Sequence, residues 1–322
     1  MKEFELIKEF FTAQPVSRKD VAMGIGDDCA LIRANDNKLI AVTTDTLVAG
    51  VHFPLNTPAR AVGHKAVAVN LSDIAAMGAE PAWISVAITL PEVDEEWLRE
   101  FTAGMFELTE YFNVQLIGGD TTQGPLSITI TAQGLVPEDK ALCRNGAQNG
   151  DYLFVTGDFG DAGLALAAIN GQIKLNETDF ARVKAKLDYP QPQVLVGQMI
   201  REFATSAIDV SDGLLADLGH ICRASTLGVA INVEDIPLSK ALTDNLSAED
   251  AINMALTSGD DYQLIFSVPA TNKVGIETAM AHANVAFNCI GQLNTSEEIN
   301  LTYKKKPFVV KKVGFEHFSV KA

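Results

Sequence analysis

The chain has 322 residues, 47% of them hydrophobic, which supplies core for about two domains and excludes a disordered chain. With 41 Asp and Glu against 25 Lys and Arg the formal net charge is −16, a balance that repels phosphate backbones and anionic membranes and excludes general nucleic-acid binding. Nucleotides remain open to so acidic a chain where metal ions join its carboxylates to phosphates.

The opening MKEFELIKEF carries charges throughout, unlike the apolar stretch of a signal peptide, and is expected to form an amphipathic helix. Residues 39–43 read as a strand and 58–77 as a helix that Gly78 is placed to end. The most apolar stretch, 66–90, is broken by Asn70, Asp73, Glu80 and Pro81, so no membrane-spanning helix is expected. A strand over 82–90, a helix over 95–112, a glycine turn after 116–117 and an alternating strand over 126–136 complete the first half. Polar, glycine-containing sequence near 136–150 reads as a domain boundary. Beyond it come a strand at 152–155, a helix at 162–169, a short strand at 207–210, a helix at 212–225 and a strand at 262–268. Mixed strands and helices in both halves predict two α/β or α+β domains. Cys29, Cys143, Cys222 and Cys289 lie far apart with no CxxC pair, which suits reduced thiols in a cytoplasmic protein better than a zinc site.

Acidic residues recur beside glycine, serine or threonine at predicted strand ends and helix starts. They are Gly26-Asp27-Asp28, Thr43-Thr44-Asp45-Thr46, Asn70-Leu71-Ser72-Asp73, Gly118-Gly119-Asp120-Thr121-Thr122, Asp209-Val210-Ser211-Asp212-Gly213 and Gly259-Asp260-Asp261. Each alone is ordinary capping and turn chemistry. Asp73 is harder to dismiss, because Val67, Val69, Leu71, Ile74, Ala75 and Met77 make its helix apolar on nearly every face. A buried carboxylate there needs a partner. Magnesium is one candidate, and Lys65 or a distant arginine is the other. His52, just after a strand, reads either as a structural histidine or as a substrate contact. Asp158-Phe159-Gly160 spells a kinase DFG but lacks an HRD loop and a VAIK strand, so it is read as a strand-to-helix turn.

Taken in order, GIGDDCA, TTDTLVAGVHF, KAVAVNLSDIAAMGAEP, IGGDTT, DVSDGLLADL, SGDDYQL and the closing GFEHF resemble the thiamine-monophosphate kinase family over residues 23–318. That family belongs to the superfamily of aminoimidazole ribonucleotide synthetase and selenophosphate synthetase. The resemblance implies an α/β and α+β two-domain fold. An N-terminal domain over 1–137 would bind ATP and magnesium and dimerise through a β-barrel, and a C-terminal α+β domain would span 138–322. The implied activity is ATP-dependent phosphorylation of thiamine monophosphate to thiamine diphosphate by a cytoplasmic homodimer, with no nucleic-acid or membrane partner. By the same resemblance Asp27, Thr43, Thr44, Asp45, Asp73, Asp120, Asp209 and Asp212 hold several magnesium ions. Gly119, Asp120, Arg144 and Ser211 contact ATP, and His52, Asp260 and Phe315 line the thiamine phosphate site. The chain departs from many relatives in carrying Asp260 in place of Glu and Thr102 in place of an aromatic.

The chemistry fits this expectation. A substrate phosphate with a second pKa of about 6 is largely ionised at neutral pH, so the nucleophile needs no catalytic base. The obstacle is repulsion between two anions, which metals offset while holding an in-line geometry. Two other readings stay open: a superfamily ATP-dependent enzyme of the cyclo-ligase type, and a non-catalytic nucleotide- or metal-binding subunit.

Overall fold

A computed structural model describes residues 3–15, 17–23, 25, 31–33 and 37–310. The chain divides into two compact units, one of residues 1–75 and 79–139, the other of residues 76–78 and 140–322.

The first unit opens with α1 (Glu3–Leu6), which runs into a π-helical turn that buries Phe10 and Phe11. A short antiparallel pair follows, β1 (Val21–Met23) with β2 (Leu31–Ile32). The main sheet has four strands in the order β3-β6-β4-β5: β3 (Lys38–Val48), β4 (Glu80–Leu90), β5 (Gln115–Gln123) and β6 (Ser127–Pro137). Strands β3 and β6 pair antiparallel along all of their length, and β4 with β5 is the parallel pair. Alternation sets one face against the core: Ile84, Val86, Ile88, Ile128 and Ile130 are each at most 3% exposed. The helices α2 (Ala59–Ala76) and α3 (Glu95–Tyr111) belong to this layer. Residues 61–72 of α2 are all buried, as a helix apolar on every side requires, and it ends just before Gly78 as predicted. Asp94 starts α3 by accepting from the N–H groups of Glu96 and Trp97 at 3.0 Å each. Thr102 is buried on α3, its hydroxyl turned back to the Leu98 carbonyl at 2.9 Å.

Gly118 and Gly119 lie within β5, not in a turn. The strand is at the sheet edge, where glycine is tolerated, and it passes so close to β4 that a Cβ on Gly119 would stand 1.9 Å from the Val86 carbonyl oxygen.

The second unit carries a mixed seven-stranded sheet in the order β13-β12-β9-β11-β7-β10-β8. Its strands are β7 (Tyr152–Thr156), β8 (Ser206–Asp209), β9 (Gly228–Asn232), β10 (Leu264–Val268), β11 (Phe287–Asn294), β12 (Ile299–Tyr303) and β13 (Lys306–Pro307). Only β12 with β9 runs parallel among these pairs. The helices are α4 (Asp161–Ile169), α5 (Glu177–Asp188), α6 (Val194–Ile200), α7 (Leu214–Ser225), α8 (Lys240–Asn245), α9 (Ala248–Thr257) and α10 (Lys273–His282). Leu153, Val155, Ile208, Leu218, Ile221 and Ile265 from strands and α7 meet in one buried cluster. Neither sheet closes into a barrel among the described residues. No helix among them is long and apolar enough to cross a membrane.

Candidate functional site

In the first unit the acidic residues gather at β3 and α2. From Ala41 onward the odd-numbered residues of β3 turn inward, which places Thr43 and Asp45 on the core side, each half-buried. The Thr43 hydroxyl donates to Asp73 Oδ2. Asp73 is half-buried, so the expectation of full enclosure is corrected: the helix reaches the surface one turn before its end. Burial, and then the negative charge of Asp73, push the Asp45 carboxyl up to about 6. Asn70, fully buried, braces this corner: its Nδ2 donates to the Ala66 carbonyl at 3.0 Å and its Oδ1 accepts from the Asp45 N–H at 3.2 Å.

Thr44 lies on the opposite face of β3 and shares a 2.9 Å hydrogen bond with the Thr131 hydroxyl, so its side chain does not join this cluster. Asp120 is exposed on β5, opposite Ala87 of β4. His52 folds back on the end of β3, where its Nδ1 accepts from the Val48 N–H at 2.9 Å, which leaves the ring proton of the neutral imidazole on Nε2. Asp27 and Phe315 lie outside the described residues. Among the described residues no three His, Cys, Asp or Glu side chains converge as a ready-made metal cage.

In the second unit β8 ends at Asp209, 4% exposed, and the chain turns through Val210 to Gly213 into α7. Asp217 holds this turn. Its Oδ2 accepts from three consecutive N–H groups, Ser211 at 3.1 Å, Asp212 at 3.0 Å and Gly213 at 3.2 Å. Burial nevertheless raises its carboxyl to about 7, with the charge of Asp212 adding to the shift and the backbone donors opposing it. The Asp260 N–H donates to the Ser211 carbonyl at 2.9 Å and the Tyr262 N–H to the Val210 carbonyl at 2.8 Å, so the segment 259–262 is stitched to the same turn. Gly259 is needed there, because a Cβ would sit 2.2 Å from the Ser211 oxygen. Arg144 occupies a short 3-10 turn whose carbonyl accepts from the Ser225 hydroxyl at 2.9 Å.

The DFG look-alike is structural. Phe159 is fully buried, and both carboxylate oxygens of Asp261 accept from the Gly160 N–H at 3.0 Å. The Asp261 carboxyl is enclosed even though part of the residue reaches the surface, and burial drives it well above the usual carboxylate range.

Two family models match: AIR synthase related protein, N-terminal domain, over residues 26–136, and its C-terminal domain over residues 148–304. The thiamine-monophosphate kinase of Escherichia coli (strain K12) is 44% identical over 319 residues, 98% of each chain. The chain belongs to the thiamine-monophosphate kinase family. The crystal structure of thiamine-monophosphate kinase from Stenotrophomonas maltophilia K279a superposes on 95% of this chain and 98% of its own, with a TM-score of 0.87 at 40% identity. A further structure, AaThiL complexed with AMPPCP and TMP, covers 98% of this chain and 96% of its own, with a TM-score of 0.78 at 28% identity.

Within this family fold, sequence reasoning passed over Asn70, Asp217 and Tyr262 as functional positions. All three stand inside the quoted motifs, and each acts through backbone or through another side chain. The available signal was a polar residue at an otherwise apolar helix position, as with Asn70 between Val69 and Leu71.

Proposed function

We propose that the chain transfers the γ-phosphoryl group of ATP to thiamine monophosphate, forming thiamine diphosphate and ADP. The observation that carries this reading is the 98% two-way coverage at 44% identity with a thiamine-monophosphate kinase, and the acidic corner of the first unit supports it. We read Asp27, Thr43, Asp45, Asp73, Asp120, Asp209 and Asp212 as the magnesium-holding set, with Thr44, whose side chain turns away to Thr131, contributing only through its backbone. Gly119, Asp120, Arg144 and Ser211 serve ATP, and His52, Asp260 and Phe315 serve thiamine phosphate. In functional terms residues 1–137 form the ATP, magnesium and dimerisation domain, and 138–322 the C-terminal domain.

The reading takes several magnesium ions, and the Asp45–Asp73 pair supports a position for one of them. Asp45 and Asp73 set two like charges together under partial burial, and a divalent cation offsets that cost. Magnesium keeps waters and takes phosphate oxygens as ligands, so it asks for one or two carboxylates rather than a full cage. When bound, it neutralises the charge of the reacting phosphates. The protein residues bind and orient. Thr43 fixes Asp73, Asn70 fixes the Asp45 backbone, and Asp217 fixes the turn carrying Ser211 and Asp212. An ionised phosphate oxygen of the substrate attacks the γ-phosphorus in line, and ADP leaves without a phosphorylated enzyme. Incubation with ATP and either thiamine monophosphate or free thiamine, followed by chromatography, tests the assignment. Thiamine diphosphate is expected from the first alone, and comparable conversion of free thiamine would sink it.

The reading extends to a cytoplasmic homodimer built on the outer face of the first unit's sheet, where Ile40 and Val42 are 45% and 63% exposed. Light scattering at low micromolar concentration is expected to report twice the chain mass, and a fully active monomer would refute the dimer.

A further inference from the structure

We propose that Tyr262 is a positioning residue that sets the Asp260 carboxylate for thiamine phosphate, an inference that rests on the reading of Asp260 as a substrate contact. Tyr262 is 6% exposed, and its hydroxyl donates to Asp260 Oδ1 at 2.9 Å. Both residues have left-handed backbone, with φ of 67° for Asp260 and 48° for Tyr262. A non-glycine residue adopts that conformation only where its surroundings insist on it, and two of them one residue apart mark a segment held for a purpose.

The surroundings here are specific. Backbone bonds from Asp260 to Ser211 and from Tyr262 to Val210 fix the segment's path. Between the two, Asp261 directs its carboxylate to the Gly160 N–H. The phenol hydroxyl bonds the Asp260 carboxylate. The terminal torsion of an aspartate is broad and nearly two-fold, so backbone restraint alone does not fix where its oxygens point. A hydroxyl donating to one oxygen selects one orientation of the carboxylate. A hydrogen bond to an ionised acceptor is strong enough to do so. Thiamine monophosphate carries a cationic thiazolium and an aminopyrimidine, groups that an oriented carboxylate recognises.

The test is steady-state kinetics on the full chain, with thiamine monophosphate varied at saturating magnesium and ATP. Wild type, Tyr262→Phe, Asp260→Asn and the double variant are compared. Tyr262→Phe keeps the ring and removes the donor. It is expected to raise the KM for thiamine monophosphate about five- to tenfold, with the KM for ATP unmoved. In the Asp260→Asn background it should add less than about twofold, because the partner is already altered. An unchanged KM for thiamine monophosphate in Tyr262→Phe, equal rises in both KM values, or the same loss in both backgrounds would overturn the proposal. If Asp260→Asn itself leaves that KM unmoved, the substrate reading of Asp260 fails first and the role of Tyr262 falls with it.

Discussion

In the first unit Asp45 and Asp73 lie close enough for each charge to penalise the other, and the hydroxyl of Thr43 and the amide of Asn70 brace them from the side. In the second unit the acidic residues ride on a turn whose own backbone is saturated: Asp217 takes three N–H groups, and the carbonyls of Val210 and Ser211 take two more. One arrangement stores electrostatic cost that a cation can release. The other fixes geometry before any ligand arrives. Substitutions at the two places should therefore fail in opposite ways.

The largest effect is expected at Asp45. Asp45→Asn keeps the shape and removes a charge, and it should lower kcat by about 10²–10³-fold. The same variant should gain stability in the absence of magnesium. The folded-state pKa of about 6 exceeds the ordinary value of 3.8, so the folded wild type holds its proton more tightly than the unfolded chain. Wild-type stability is then lost as pH rises from about 4 through about 6, a loss the variant does not share. At pH 8 the variant should lead by roughly 2–3 kcal/mol in denaturant titration, and the lead should close by pH 4. Near-normal turnover, or a variant less stable at pH 8, would break the contrast.

The second unit should show the reverse. Asp217→Leu leaves three N–H groups without their acceptor and is expected to cost about 2–3 kcal/mol at neutral pH. Asp217→Asn retains an acceptor oxygen and should stay within about 1 kcal/mol of wild type. Thermal melts of both variants decide. Equal midpoints would mean that the carboxyl is not what holds the turn.

Much of this was legible in the sequence. The helix over 58–77, the strand over 126–136 and the helix over 95–112 each ended within a residue or two of the structure, because long periodic segments carry their own signal. The glycine pair 118–119 misled, since glycine marks a turn and a close strand approach with the same letter. Strands β9, β11 and β12 went unread: short strands such as Gly228–Asn232 find their partners far away in sequence, and local pattern is weak there. Of the site, the acidic residues were visible as motifs. That Thr44 turns away from Asp45 is strand alternation, readable once β3 was known to run on to Val48. The bracing of Asp45 by Asn70 and of Asp260 by Tyr262 depends on which backbone atoms meet, which composition does not encode.

Strand β3 has one more consequence, for insertions and deletions. From Ala41 onward its odd residues, Thr43 and Asp45 among them, face the core, while Ile40, Val42, Thr44 and Thr46 face outward. A single residue added after Ala41 while the pairing to β6 stayed fixed beyond it would exchange the faces of the shifted segment, turning Lys38 and Ile40 inward and Leu39 and Ala41 outward. The chain has a gentler option, which is to bulge the extra residue out and keep the phase from Thr43 onward. Length changes in this strand are therefore expected to survive as local bulges near Lys38 and to be rejected near Asp45, where the bulge itself would move the carboxylate.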